Sequence, residues 1–268
     1  MQSYQFLKAW RERARHWQAQ AVAPAPPADP AAIEGALLAG EPLMSLVPFT
    51  LPAEPFAAAL TELAVLLAQP QYKGDRADAL ALAAALRTAT PAEKEALATA
   101  VTRGDGGLAW AAAHQVDHEL LATLLALAVQ PFLARYAAAV TVGAPLTMWR
   151  RTYCPVCGTP ADVCRIDPDN LRFLHCPQCD TQWEHHRLTC ANCDTDDVKR
   201  VGLLTLDELE PWRVEVCDVC GGYTKTLDQR HGGHLAMPKV DLFLEDARTI
   251  KLNLLAEAEG YRRGGRPQ

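Results

Sequence analysis

Residues 153–180 read YCPVCGTPADVCRIDPDNLRFLHCPQCD, in which two Cys-x-x-Cys pairs, Cys154/Cys157 and Cys176/Cys179, are separated by eighteen residues. The pattern repeats downstream with Cys190/Cys193 and Cys217/Cys220, separated by twenty-three residues, while the first 150 residues contain no cysteine. A thiolate pair spaced by two residues forms a tight turn whose backbone N–H groups point at sulfur, and two such turns supply the four ligands of a tetrahedral metal site. The residue after each second cysteine favours a left-handed backbone. Here it is Gly158, Asp180, Asp194 and Gly221, all types that tolerate that conformation. Four pairs following one local rule point to two metals. Sequential grouping is expected, with Cys154, Cys157, Cys176 and Cys179 on one ion and Cys190, Cys193, Cys217 and Cys220 on the other. Interleaving, first pair with third and second with fourth, stays open because spacing does not fix connectivity.

A region of this size, rich in polar turns, has too little apolar core to hold itself, so both metals act at least as staples. The donor set suits zinc and iron alike. Thiol exchange is disfavoured, since none of the pairs opens a helix in a βαβ context. Cys164 has no partner at ligand spacing and reads as a buried thiol. With eight cysteines present, His175, His185 and His186 are not needed as ligands and are expected beside the sites or on the surface. Trp183 is expected to pack over a small core.

Working outward, the stretches LRFLHC, RVGLLTL and WRVEVC are β-prone and separated by Asp, Asn, Pro and Gly. The cysteine region therefore reads as β-rich and as two copies of one unit. Residues 239–262 return to helical periodicity, with Val240, Phe243, Leu244, Ala247, Ile250, Leu254 and Leu255 as the expected buried stripe. Upstream, residues 52–140 are dominated by Ala and Leu at three- and four-residue intervals, which indicates successive helices. Thr90, Pro91 and Glu93 form a capping-box signature, and RGDGG at 103–107 closes that helix. A helix from Leu108 would carry His114 and His118 on one face near Asp117, an arrangement read as a polar stripe in preference to a metal pair. The proline-rich APAPPADP at 23–30 reads as an extended connector.

The expected class is α+β: a helical domain over 1–147, rubredoxin-like or zinc-ribbon knuckle modules over 148–188 and 189–234, and a terminal helix and tail over 235–268. The net charge of −6 divides into −2 for residues 1–150 and −4 for the remainder. Neither half has the basic excess of a nucleic-acid binder, and no nucleic-acid partner is expected. The basic N-terminus has no apolar core behind it, so a cytoplasmic protein without a secretory signal is expected. The apolar run from Leu120 to Trp149 is interrupted by Pro131, Gly143 and Pro145 and reads as a buried helix, not a membrane span. There is no phosphate-cradling glycine loop, nucleophile elbow or evident acid–base carboxylate pair, and no enzymatic activity is expected.

Taken in order, YCPVCGTP, LRFLHCPQCDTQW, CANC, EVCDVCGGYTK and the late EGYRR resemble the formate dehydrogenase accessory proteins, the FdhE family. The resemblance is specific from Tyr153 to about Lys225 and weaker beyond. It implies a cytoplasmic maturation factor that binds the catalytic subunit of respiratory formate dehydrogenase before that enzyme is exported. It also implies rubredoxin-like sites on the eight paired cysteines, with iron favoured over zinc as the two tetrathiolate ions. An iron-dependent redox factor acting on the maturing enzyme is the alternative, and self-association is left open.

Overall fold

The computed structural model describes residues 2–25, 29–230 and 240–264. The chain divides into two compact units. One comprises residues 1–24 and 48–139, and the other residues 25–47 and 140–268.

Helices run in the order α1 (Gln2–Gln20), α2 (Pro30–Ala39), α3 (Ala53–Leu67), α4 (Arg76–Thr88), α5 (Pro91–Arg103), α6 (Leu108–His114) and α7 (His118–Val140). In the first unit α3 packs on α1, α4 and α5, burying Phe56, Leu60 and Leu63 with Leu82, Leu86 and Leu97. Phe56 meets Phe132 of α7 edge to face, with ring centroids 6.2 Å apart. The capping box is present as read from sequence: Thr90 N donates to Glu93 Oε2 at 2.7 Å, and Glu93 N donates to Thr90 Oγ1 at 3.3 Å. Gly104 ends α5 in a left-handed conformation with φ of 76°.

Two sequence readings of this unit need correction. The helix from Leu108 stops at His114, because Gln115 turns left-handed (φ 55°) and a new helix begins at His118. His114 and His118 therefore do not share one helical face. Second, Pro131 does not break α7, which continues through it. Proline has no N–H for the carbonyl four residues earlier, and the freed Leu127 carbonyl instead accepts from the Trp10 indole at 3.2 Å. α7 is long and apolar enough to cross a membrane, but 67% of its most apolar stretch is buried within the protein.

In the second unit one sheet links the segments that carry the four cysteine pairs. Its strands are β1 (Val163–Ile166), β2 (Arg172–His175), β3 (Gln182–His185), β4 (Val201–Thr205), β5 (Trp212–Cys217), β6 (Gly222–Asp228) and β7 (Arg262–Arg263). The order is β3-β2-β1-β6-β5-β4, with β7 also on β6. Each half is an antiparallel meander, β1-β2-β3 and β4-β5-β6. A parallel β1–β6 pairing, Val163 opposite Lys225, joins them. β1 takes the second half of that edge of β6, and β7 takes the first, with Gly222 opposite Arg262.

The sheet has an apolar and a polar face. Val163, Trp212, Val214, Val216, Tyr223 and Leu227 bury one side against Leu242 of α8 (Leu242–Arg248) and Leu252 and Ala256 of α9 (Ile250–Ala258). The single terminal helix expected from periodicity is thus two. Thr249 interrupts it, its hydroxyl donating to the Glu245 carbonyl at 2.7 Å, and the phase of the buried stripe shifts. Ile250 and Leu254 face solvent, and Leu242, Leu252 and Ala256 are buried instead. Lys239 and the first residues of the expected terminal segment lie outside the described residues, as do 26–28 of the proline-rich connector. The connector's last residues are ordered otherwise than expected, since Asp29 caps α2 and Pro30 opens it.

The helical domain read as continuous over 1–147 gives up residues 25–47 to the cysteine unit. Leu43 N and Met44 N donate to the carbonyls of Pro155 and Val156 at 2.8 and 3.0 Å, and Tyr153 Oη donates to the Gly40 carbonyl at 2.8 Å.

Candidate metal centres

All four knuckles are built alike. The N–H groups of Gly158, Asp180, Asp194 and Gly221 donate to the carbonyls of Cys154, Cys176, Cys190 and Cys217 at 2.8–3.1 Å. These four residues have φ between 59° and 77°, the left-handed geometry expected from their types. Glycine at 158 has a second reason, since a Cβ there would meet Pro42 Cγ at 3.3 Å. In three knuckles a threonine follows, and Thr159, Thr181 and Thr195 accept from the N–H of the first cysteine through their carbonyls.

The cysteines gather sequentially. Cys154, Cys157, Cys176 and Cys179 form one group and Cys190, Cys193, Cys217 and Cys220 the other, each with its sulfurs within 4.8 Å of one another. In the first group Cys154 and Cys157 lie 3.5 Å from Cys179 and Cys176 respectively. In the second, the Cys190–Cys220 and Cys193–Cys217 separations are both 3.9 Å. These distances exclude disulfides, whose sulfurs are ~2.05 Å apart. They match a tetrahedral ion with metal–sulfur bonds of ~2.3 Å, which sets sulfurs ~3.8 Å apart. Burial pushes the Cys220 thiol up to about 11 and raises that of Cys190, whereas at Cys217 burial is outweighed by hydrogen bonds from the backbone of Cys220 and Val219, which lower it. Both groups could hold a metal ion, and each leaves one sulfur donor, Cys157 or Cys193, on a half-buried residue.

Sequence reasoning left the histidines beside the sites, and the structure gives two of them specific partners. His175 is buried, with Nδ1 3.1 Å from Asp162 and Nε2 3.2 Å from Asp180. Burial opposes its charge, but the hydrogen bonds to Asp162 and Asp180 prevail and raise its pKa to about 9. His185 is buried with Nε2 3.3 Å from Asp194; burial, reinforced by Arg172, lowers its pKa to about 4. The two left-handed positions occupied by aspartate are thus the ones that face a histidine. His186 is exposed. Trp183 is buried, as expected, and donates to the Arg151 carbonyl at 2.9 Å. Cys164 is fully buried, its thiol pushed up to about 11 by that burial.

The C-terminal EGYRR stretch has a role that periodicity could not reveal. Tyr261 Oη donates to Asp218, inside the fourth knuckle, at 2.7 Å, and Arg262 N donates to the Gly221 carbonyl at 3.0 Å. Arg263 pairs with Asp246 at 2.7 Å and lies 3.6 Å from Asp162, the partner of His175. Asp246 also holds the fully buried Lys225 at 2.6 Å. One short strand therefore fastens to both metal centres.

The fold and sites define a ribbon-type protein with two four-cysteine centres in one mixed sheet. The FdhE central-domain family matches residues 153–187. An FdhE homologue from Aquifex aeolicus is 32% identical over 150 residues, which is 54% of this chain and 50% of that protein. FdhE from Escherichia coli O1:K1 is 35% identical over 117 residues, 42% of this chain and 36% of that protein. The chain thus spans half or less of these curated relatives. The crystal structure of FdhE from Pseudomonas aeruginosa has the same fold, with a TM-score of 0.63 at 24% identity, covering 94% of this chain and 84% of that one. Residues 153–187 are thus similar to the FdhE central domain, and the chain as a whole has the fold of FdhE.

Proposed function

We propose that this protein is a non-enzymatic cytoplasmic accessory factor that binds the catalytic subunit of respiratory formate dehydrogenase while the active enzyme is assembled, before export. The resemblance to the formate dehydrogenase accessory proteins supplies the client. The observation that carries the reading is the rigid module itself: two four-cysteine groups set in one sheet, with a terminal strand pinned to both. Metal on Cys154, Cys157, Cys176 and Cys179 and on Cys190, Cys193, Cys217 and Cys220 supplies crosslinks that hold polar loops in one shape.

The half-buried positions of Cys157 and Cys193 favour a second reading, in which iron at these sites exchanges electrons with the maturing enzyme through an accessible sulfur edge. A pull-down with the catalytic subunit and an activity-restoration assay, each run with zinc-loaded and iron-loaded protein, separate the two. Equal binding and restoration by both metal forms support the accessory role. Restoration by iron alone moves the conclusion to the redox reading, and failure of both forms to bind the subunit overturns the proposal.

A further inference from the structure

The polar face of the sheet gathers more guanidinium groups than carboxylates. Cys164, Thr226 and Arg213 stand in one row across β1, β6 and β5, and Glu215 lies two residues along β5 from Arg213, on the same face. Arg172 reaches this face from β2, its fully buried side chain 2.5 Å from Glu215 Oε2. Arg213 and Arg230 both pair with Asp228 at 2.6 Å. Four guanidiniums thus meet two carboxylates, because Arg187, from the segment after β3, lies within Coulomb range of Glu215, Arg213, Arg230 and Arg172.

Arg187 makes no hydrogen bond or ion pair with a described residue, and its Nε is buried without a partner among them. The stretch after Arg230, HGGHLAMPK at 231–239, contains no carboxylate that could neutralise it. Buried polar atoms normally find partners, yet Arg172 Nε, Arg187 Nε, Arg213 Nε, Glu215 Oε1 and Thr226 Oγ1 are all buried with no hydrogen-bond partner among the described residues. Four of these five atoms can donate. The site also opens to solvent, because Arg187 is half-buried and the Arg230 side chain is 30% exposed.

We infer that this face is a binding site for a phosphate group, held by Arg187 and Arg213 with the Thr226 hydroxyl as a further donor. Guanidinium forks match tetrahedral oxyanions in charge and geometry, and one such anion would offset the local excess. The protein's overall charge of −6 makes a site of this sign stand out. The phosphate could be free or the head of a phosphate monoester, and the two are separable by titration.

The test is calorimetric titration of the metal-loaded full chain at low ionic strength with inorganic phosphate and, separately, glycerol phosphate. Saturable binding with a dissociation constant below ~1 mM is expected for at least one. Tighter binding of glycerol phosphate assigns the site to an ester, and tighter binding of inorganic phosphate assigns it to the free ion. Arg187→Gln, which removes a side chain without a partner among the described residues, should keep its circular dichroism and metal content while losing at least tenfold in affinity. If it does not keep them, Arg187→Lys, which drops Nε, serves with the same criterion. In the wild-type protein the arginine Nε–H cross-peak that vanishes in the variant should be among those that shift on phosphate addition. No saturation by either ligand up to about 10 mM, or unchanged affinity in the folded variant, overturns the inference.

Discussion

Replacing Arg172 by methionine tests the buried charge pair that spans the sheet. Arg172 stands on β2 and Glu215 on β5, with β1 and β6 between them. Two strands separate their backbones, and the long arginine and glutamate side chains close that gap to a 2.5 Å contact. Arg172 also donates to the Thr189 carbonyl at 2.6 Å, just before the third knuckle. Methionine keeps the apolar stem and removes the charge. Glu215, whose side chain is 10% exposed, is then left with Arg213 at 3.8 Å, and Thr189 loses its donor. Breaking one side of a buried pair costs about 3–5 kcal/mol, and an orphaned carbonyl costs about 1–3 kcal/mol. With partial rescue by Arg213, Arg172→Met should destabilise by ~4 kcal/mol. The double variant Arg172→Met with Glu215→Leu removes both charges and leaves chiefly the carbonyl, so its cost should fall to ~2 kcal/mol. Urea unfolding of metal-loaded protein, followed by fluorescence of the buried Trp183 and Trp212, reads both values. A single-variant cost below ~1 kcal/mol, or a double variant as damaged as the single, would refute the account.

In the helical unit, Trp10→Phe should cost ~1–2 kcal/mol by orphaning the Leu127 carbonyl. In a Pro131→Ala background, where the N–H restored at that position can take the carbonyl, the same change should cost about 1 kcal/mol less in urea melts, the packing loss of the buried indole remaining in both; equal costs would contradict the pairing. Replacing Cys154 and Cys157 by serine, or Cys176 and Cys179, should each empty the same site, and all four changes together should leave about half the metal by elemental analysis. Loss of all metal from a folded quadruple variant would contradict sequential grouping. Cys164 should resist iodoacetamide at about pH 8 in the metal-loaded protein, because burial keeps it a thiol. Mass-spectrometric detection of a carbamidomethyl group on native Cys164 would show that the polar face opens more readily than described.

What the sequence made legible and what it hid follow from the range of the interactions concerned. The knuckles are local: Cys-x-x-Cys followed by Gly or Asp specifies a turn within five residues, and all four turns formed with the expected backbone. The capping box was equally local. Strands β2, β4 and β5 lie inside the three β-prone runs, whereas β6, GYTKTLD, reads as polar because its Lys225 is neutralised by Asp246 from a distant helix. The break at Thr249 was hidden because Leu and Ala on both sides of it satisfy either helical phase. The cluster of arginines was out of reach altogether, since Arg172, Arg187, Arg213 and Arg230 are far apart in the chain and come together only once the sheet has formed.

The strand order has a consequence for biosynthesis. β1, β2 and β3 can fold and close the first four-cysteine group as soon as residue 185 is available, but the open edge of β1 awaits β6, the last strand of the second meander. Since chains emerge N-terminus first, the nascent protein presents an unpaired strand edge throughout synthesis of residues 186–221. Such an edge is a template for pairing with other chains. A ribosome stalled in that interval would release a fragment with one finished metal centre and an adhesive flank, so elongation through this stretch sets how long the chain is exposed to misassembly.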